Sequence, residues 1–309
     1  DQEMAAKLLK DPGRETKELT LLGLVPAHPH VCPPLAFCHE FQGAGGERQG
    51  LAVLMPLYQS GSVDALLSKD PSLRRCALFL LKLGADVAEG LAHLHAHNII
   101  HRDIGLRNVL RDDSGNFVVG DLGCAALPGA PRVAFETSVM ATQFAKTELP
   151  PEVFSASEPW TPSVDVYMFA RTIVQAIPEA VAPAASAGSP ISGSSSSPVD
   201  ATFSSASSTS PSLADSKSEL KTTSSSSGSL NFSGGATSGE KKLELPADLS
   251  LGKLRASGLP TVVIELLQRC LLREVGARPP MSAVAAVFRE QLLLLAGFAG
   301  ACEHLSGKV

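Results

Sequence analysis

The chain has 309 residues, 44% of them hydrophobic, which is enough for a catalytic core of ordinary size with an additional segment. Acidic residues outnumber basic ones by 31 to 26, and this balance argues against a general nucleic-acid-binding protein. The six cysteines include no Cys-x-x-Cys pair, which favours the cytoplasm or another reducing intracellular compartment over a disulfide scaffold.

The first third of the chain shows strand and helix patterns in alternation. Apolar residues predict in turn a strand, a helix, a hairpin with a Gly-rich turn and a long helix, over residues 4–9, 14–24, 33–57 and 73–95. The long helix ends in three alternating histidines, which we expect to be splayed apart and not to bind a metal: His93, His95 and His97.

The stretch from Ile99 to Ala125 predicts a β-hairpin that presents three polar side chains. Asp103 and Asn108 precede its first strand and Asp121 follows its second, so we expect all three on the same side. One carboxylate can then orient a hydroxyl group and accept its proton, while the other carboxylate and the amide oxygen hold Mg²⁺. The alternative is a polar hairpin with acidic turns, but the combined spacing favours phosphoryl transfer.

This spacing resembles the eukaryotic protein kinase family, in particular its tyrosine-kinase-like and tyrosine-kinase-related members. His101-Arg102-Asp103 with Asn108 is similar to the catalytic loop, and Asp121-Leu122-Gly123 is similar to the metal-binding Asp-Phe-Gly. The resemblance implies an α+β, bilobal fold with a small β-rich N-lobe, truncated in this chain, and a larger, mainly helical C-lobe. It also implies that Asp103 is the catalytic base, that Asn108 and Asp121 bind Mg²⁺, and that Arg102 contacts a phosphorylated activation segment.

Several positions near the catalytic loop bear on the acceptor hydroxyl. Gly105 stands where many Ser/Thr kinases have lysine, and Arg107 stands where many tyrosine kinases have arginine and could neutralise the phosphates instead. Glu148 stands where tyrosine kinases often have tryptophan, and the loop-like segment before it, Cys124 to Thr147, contains no tyrosine. Its candidate phosphorylation sites are Thr137, Ser138, Thr142 and Thr147. The resemblance therefore leans toward Ser/Thr specificity, with Tyr left open.

The same resemblance assigns ATP contacts to the N-terminal elements. Met4-Ala5-Ala6-Lys7 is similar to the strand whose lysine contacts the α and β phosphates, although a lone lysine at a strand end is usually a solvated charge. Its partner should be Glu18 of the following helix, with Glu15 as the alternative. Ala5 and Leu110 are also expected at the ATP site.

The residues that follow the predicted hairpin resemble the kinase hinge. Met55 would be the gatekeeper behind the adenine, and Pro56 to Tyr58 would be the hinge itself. Pro56 has no amide proton, so the contacts to the base would come from its carbonyl group and from Tyr58. An ordinary interdomain linker is the alternative.

Three further positions match architectural markers of the family. Residues 144–152 are similar to the segment that ends in Ala-Pro-Glu, with Glu152 as its acid. Asp165 matches the carboxylate of the central C-lobe helix that anchors the catalytic loop. Arg278, in a stretch similar to the late Arg-Pro segment, should form a buried ion pair with Glu152.

Residues 178–241 consist mainly of Ser, Ala, Gly, Thr and Pro, with few large apolar groups. Such a segment buries too little surface to offset its ordering entropy, so we predict a disordered insert that acts as a linker or, alternatively, as a phosphorylated regulatory tail. It separates a partial N-lobe and hinge (1–58) and the first part of the C-lobe (59–177) from the last part of the C-lobe (242–309). No membrane span is expected, because the apolar run at 292–301 is too short.

The leading hypothesis is a protein kinase that uses ATP and Mg²⁺ to phosphorylate a hydroxyl of a protein substrate. The rival is a pseudokinase that acts as a binding or scaffolding module, because no G-x-G-x-x-G loop precedes Lys7. Only six residues precede this lysine, and we expect the chain to be a fragment of a longer kinase. A small-molecule kinase is disfavoured by Glu152, Asp165 and Arg278.

Overall fold

The computed structural model describes residues 3–9, 19–41, 50–130, 149–154, 159–178 and 251–306. These residues belong to one compact unit, which comprises residues 1–181 and 242–309. The predicted insert lies outside the described residues, apart from Pro178. Among the described helices, none combines the length and the apolar character needed to cross a membrane. The fold is α+β, as predicted, with a small antiparallel sheet and a larger helical part.

The N-terminal sheet contains three strands, β1 (Met4–Leu8), β2 (Ala36–Cys38) and β3 (Ala52–Pro56), in the order β1-β3-β2. The register pairs Ala5 with Met55 and Lys7 with Val53. Because side chains alternate along a strand and paired residues share a face, these four side chains lie on one face of the sheet. Residues 19–24 are helical (α1), within the predicted helix.

A second hairpin consists of β4 (Val109–Arg111) and β5 (Phe117–Val119), which pair in an antiparallel register. The turn between them contains Gly115, whose φ of +83° suits a residue without a Cβ. The carboxylate of Asp112 accepts a hydrogen bond from the backbone N–H of Asn116 at 2.7 Å and closes the turn. The hairpin predicted between Asn108 and Asp121 is therefore confirmed.

In the described part of the chain, six further α-helices follow: α2 (Val63–Lys69), α3 (Ala77–Ala96), α4 (Ser163–Ala176), α5 (Leu251–Ala256), α6 (Thr261–Cys270) and α7 (Met281–Ser306). The long helix predicted from residue 73 begins at Ala77, because Pro71–Arg75 first forms a 3₁₀ turn. Helix α3 packs closely against α7 at Gly84, where a Cβ would clash with the ring of Phe288. The Phe288 ring in turn meets Phe169 of α4 edge to face, at 5.5 Å between centroids. These contacts hold α3 firmly, and the catalytic loop follows directly after it.

Candidate active site

A cavity of about 230 Å³ lies between the β1–β3 sheet and the β4–β5 hairpin. Six residues predicted for the site line it: Lys7, Met55, Arg107, Asn108, Leu110 and Asp121. Most of the remaining wall is apolar and includes Leu22, Cys32, Pro34, Val53, Val119 and Leu122. An apolar slot with charged groups at one end suits a ligand that has a flat apolar part and an anionic part.

The polar end of this cavity contains an ion pair between two distant parts of the chain. The ammonium nitrogen of Lys7 lies 2.7 Å from Oδ1 of Asp121, and the backbone N–H of Gly123 donates to the same oxygen at 3.0 Å. Burial alone would raise the pKa of Asp121, but the Lys7 charge and these two hydrogen bonds outweigh burial and lower the pKa. The carboxylate of Asp121 is therefore ionised at neutral pH and able to bind a cation. Its backbone has a φ of +61°, an unusual conformation for a residue with a Cβ.

Asp103 is the second carboxylate of the site. Its side chain accepts a hydrogen bond of 2.5 Å from Nη2 of Arg107, and its carbonyl oxygen accepts one of 2.7 Å from Nδ2 of Asn108. Burial raises the pKa of Asp103, and the Asp121 charge acts in the same direction, against the opposing effect of Arg107. A carboxylate with a raised pKa is a stronger proton acceptor, as a general base requires.

Asn108 uses its amide NH₂ group in the bond to Asp103, and its oxygen is then the atom that could bind a cation. The backbone carbonyl of the same residue accepts from the N–H of Gly120 at 2.8 Å. This bond holds the start of β4 next to the residue before Asp121. Asn108 and Asp121 both line the cavity, as expected for residues at the same end of the hairpin.

The ring of His101 joins the catalytic loop to the same hairpin. Nδ1 accepts from the backbone N–H of Asp103 at 3.2 Å, so Nε2 carries the proton and donates to the carbonyl of Gly120 at 2.8 Å. The buried imidazole therefore fixes the backbone of Asp103 relative to the residue before Asp121. Sequence reasoning assigned no role to His101.

Asp165 of α4 anchors the backbone of the catalytic loop. Its two carboxylate oxygens accept hydrogen bonds from the backbone N–H groups of His101 (2.8 Å) and Arg102 (2.7 Å), and from Nε2 of His95 (2.8 Å). Burial alone would raise the pKa of Asp165, but these hydrogen bonds outweigh burial and lower the pKa. The group is ionised, and its charge is balanced by N–H donors.

Arg102 is buried beneath the loop, with a φ of +64°. Its Nε donates to the carbonyl of Cys124 at 2.6 Å, and its guanidinium carbon lies 4.8 Å from the ring centroid of Trp160. Arg102 thus ties the catalytic loop to the chain that follows Asp121. The activation-segment residues that Arg102 was predicted to contact, 131–148, lie outside the described residues.

Glu152 and Arg278 form the buried pair that the sequence predicts. Two parallel bonds join them, Nη1–Oε1 at 2.5 Å and Nη2–Oε2 at 2.8 Å, and the Arg278 side chain is fully buried. The guanidinium also stacks on the Tyr167 ring, 5.0 Å from its centroid. The pair connects the residues before α7 to the end of the activation segment.

The structure does not bring every predicted residue into the cavity. Ala5 lies on the face of the sheet that includes Lys7, but the described residues that line the cavity do not include Ala5, Pro56 or Tyr58. The Tyr58 hydroxyl contacts the thiol of Cys32 instead. Glu18 and Glu15 lie outside the described residues. The contacts predicted for these five residues remain predictions.

One expectation about the end of α3 is wrong. His93 and His97 are not splayed apart: their ring centroids lie 4.5 Å apart, and His93 also stacks on His28 at 4.4 Å. Residues four apart share a face of a helix, so this spacing could have predicted the contact. Within the described residues, no group of three or more metal-ligating side chains is arranged to hold a metal ion.

Some residues of the cavity were missed by sequence reasoning. Val53 could have been found, because it lies two positions before Met55 on the same strand face. Cys32 and Pro34 line the cavity because a backbone hydrogen bond holds their segment beside β5. The Cys32 N–H donates this bond to the Val119 carbonyl at 2.8 Å. No local pattern signals a contact of this kind.

Comparison with known proteins identifies the family of the chain. The family model described as protein tyrosine and serine/threonine kinase matches residues 2–189, more than half of the chain. A probable serine/threonine-protein kinase of Dictyostelium discoideum is 29% identical over 177 residues, which cover 54% of this chain and 12% of the relative. Serine/threonine-protein kinase 12 of Arabidopsis thaliana is 30% identical over 163 residues, covering 52% and 32%.

A third relative has a broader described specificity. The dual serine/threonine and tyrosine protein kinase of Gallus gallus is 35% identical over 89 residues, which cover 29% of this chain and 9% of the relative. The matches thus span at most about a third of the length of these three relatives.

Proposed function

The chain belongs to the protein tyrosine and serine/threonine kinase family, and from that premise we propose that it transfers the γ-phosphate of ATP to a protein hydroxyl. The observation that carries this proposal is the convergence of Lys7, Asn108 and Asp121 on one cavity, with Asp103 bonded to its neighbour Arg107. Acceptor serine and threonine are favoured over tyrosine, since two of the three relatives above are named serine/threonine kinases.

Each residue of the site has a defined part in this chemistry. The apolar wall around Met55 and Leu110 receives the base of the nucleotide, and the Lys7 ammonium binds its phosphates. Asp103 orients the substrate hydroxyl and accepts its proton, helped by a pKa that burial raises. Arg107, which contacts Asp103 and lines the cavity, adds positive charge near the transferred phosphate.

The donor groups fit Mg²⁺, because this ion takes few protein oxygens together with phosphates and water. Asn108 supplies an amide oxygen and Asp121 a carboxylate that stays ionised at neutral pH. Mg²⁺, when bound, supplies charge neutralisation at the phosphate oxygens.

A thermal-shift titration of the full-length protein with ATP tests this function. We expect ATP with Mg²⁺ to raise the melting temperature, because a ligand that binds only the folded state stabilises it. ATP without Mg²⁺ should raise the melting temperature much less, because Asn108 and Asp121 are proposed to hold the nucleotide through the ion. A protein that is stabilised equally with and without Mg²⁺, or not at all, would favour the alternative of a pseudokinase that acts as a binding module.

A further inference from the structure

A second cavity, of about 360 Å³, lies beside the catalytic loop and has mainly polar walls. We call it the arginine cavity, after Arg74, Arg107 and Arg171, which line it together with Asp64, Gly105 and Gln175. The charged residues among those that line the cavity are thus three arginines and one aspartate. A confined space with this excess of positive charge attracts an anionic group.

The arginine cavity adjoins the reacting centre. Arg107 lines both this cavity and the cavity between the β1–β3 sheet and the β4–β5 hairpin, and it bonds to the carboxylate of Asp103. Residues 104–107, which follow the catalytic aspartate directly, form one wall. A chain whose hydroxyl group lies at Asp103 therefore passes close to the arginine cavity.

Bonds between three elements hold the walls of the cavity in place. The Thr172 hydroxyl of α4 lies 3.3 Å from the carbonyl oxygen of Ile104, and the Asp64 N–H of α2 donates to the Leu106 carbonyl at 3.1 Å. Arg74, from the turn before α3, donates from Nη1 to the carbonyl of Gln175 at 2.6 Å. Because these contacts hold Arg74 and the catalytic-loop wall in place without a ligand, this part of the cavity is formed in advance of binding.

Gly105 keeps the catalytic-loop side of the cavity open. Gly105 has no side chain that could cover the arginines. A Cβ built at this position would point toward the Arg107 guanidinium, at 3.8 Å from Nη1. Arg171 is 6% exposed. Guanidinium groups bind carboxylates and phosphates through paired N–H donors, which makes these two groups the matching ligands.

We propose that the arginine cavity binds an acidic side chain of the protein substrate, close in sequence to the residue that is phosphorylated. This inference rests on the proposed function, because it names the class of substrate for the same site. Aspartate, glutamate and a phosphorylated residue share the required chemistry.

The test measures the equilibrium binding of labelled peptides to the full-length protein by fluorescence anisotropy. Each peptide has one central serine, flanked on both sides by either Glu, Gln or Arg in an otherwise identical sequence. The Glu peptide is expected to bind about tenfold more tightly than the Gln peptide, with the Arg peptide weakest. Equal affinities for the three peptides would overturn the inference.

A charge reversal with a matched control locates the effect. Arg74→Glu should remove the preference for the Glu peptide and improve binding of the Arg peptide, because it reverses one charge in the wall. Arg75→Glu, at the exposed neighbouring position outside the described cavity wall, should keep the wild-type preference. A loss of preference that is equal in both variants would show a general charge effect and overturn the assignment. Arg74 is only half-buried, so folding of the variant does not depend on a buried charge.

Two further comparisons complete the test. A peptide with phosphoserine in place of Glu identifies the source of the anion: tighter binding assigns a phosphorylated substrate and weaker binding assigns a carboxylate. Because binding is measured without ATP, the result is independent of phosphoryl transfer. Equal transfer to all three peptides without any binding preference would overturn the inference while the proposed function stands. Arg74-dependent binding of the Glu peptide, in a protein that Mg-ATP does not stabilise, would support an acidic ligand in the arginine cavity while the proposed function fails.

Discussion

The ammonium group of Lys7 donates a 2.7 Å hydrogen bond to the carboxylate of Asp121, across 114 positions of the sequence. This bond joins the N-terminal sheet to the hairpin that presents Asn108 and Asp121, and it lies at the polar end of the cavity between them. Both side chains are partly exposed, at 30% and 45%, so the pair is accessible to a ligand and contributes little to stability by itself. Its value lies in placing a cation and an anion where phosphates and Mg²⁺ would bind.

Lys7→Met should weaken the binding of Mg-ATP, because the phosphates lose their cationic contact. We expect a loss of at least about tenfold in affinity, since hydrogen bonds to charged groups contribute about 1.5–3 kcal/mol. Calorimetric titration with a non-hydrolysable ATP analogue measures it. Lys69→Met, at an exposed position at the end of α2, is the control and should bind as wild type does. Equal affinities in the two variants would remove Lys7 from the site.

Asp121→Asn should abolish the part of nucleotide binding that depends on Mg²⁺. The carboxylate is ionised at neutral pH, and an amide in its place offers the ion no negative charge. ATP affinity is measured at several Mg²⁺ concentrations. Asp113→Asn, at an exposed position in the β4–β5 turn, should retain the full Mg²⁺ dependence. If Asp121→Asn retained it as well, Asp121 would not be a metal ligand.

The rate of transfer should fall on acidification as Asp103 becomes protonated. Burial raises the pKa of Asp103 above its ordinary value of 3.8, so the fall should occur at a higher pH than for an exposed aspartate. The Arg107 charge opposes this rise, and Arg107→Gln should therefore shift the acid limb further toward neutral pH. Profiles of kcat/KM against pH for wild type, Arg107→Gln and the exposed control Arg75→Gln show the shift. A limb that moves to lower pH in Arg107→Gln would contradict this electrostatic account.

Arg278→Ala should destabilise the protein by about 3–5 kcal/mol, because it leaves the Glu152 carboxylate buried without its partner. Urea unfolding, followed by intrinsic fluorescence, measures the loss. Arg273→Ala removes an exposed arginine from the preceding turn and should change stability by less than about 0.5 kcal/mol. Similar losses in both variants would show that the Arg278 pair is no more important than a surface contact.

Sequence reasoning predicted those parts of the site that depend on local order. Asp103, Asn108 and Asp121 flank one hairpin, so their proximity follows from the turn between them. The contact of Glu152 with Arg278 followed only from the family resemblance, because nothing local relates segments more than a hundred residues apart. The contact of Lys7 with Asp121 was not predicted, since the resemblance pairs Lys7 with Glu18 or Glu15. The stacking of Arg102 on Trp160 followed from neither local order nor the resemblance, since the two residues lie in distant parts of the chain. The contact of His93 with His97 was missed, although residues four positions apart in a helix share a face and the sequence could have predicted it.

The most direct test of the central claim is phosphoryl transfer by Asp103→Asn in the full-length protein. Transfer from γ-labelled ATP to casein, with saturating Mg²⁺, is compared with that of wild type, together with the Mg-ATP thermal shift of both. The account predicts that transfer falls by about 10²–10⁴-fold while the thermal shift is retained, because Asp103 acts on the hydroxyl and not on the nucleotide. Undiminished transfer in the variant would contradict it.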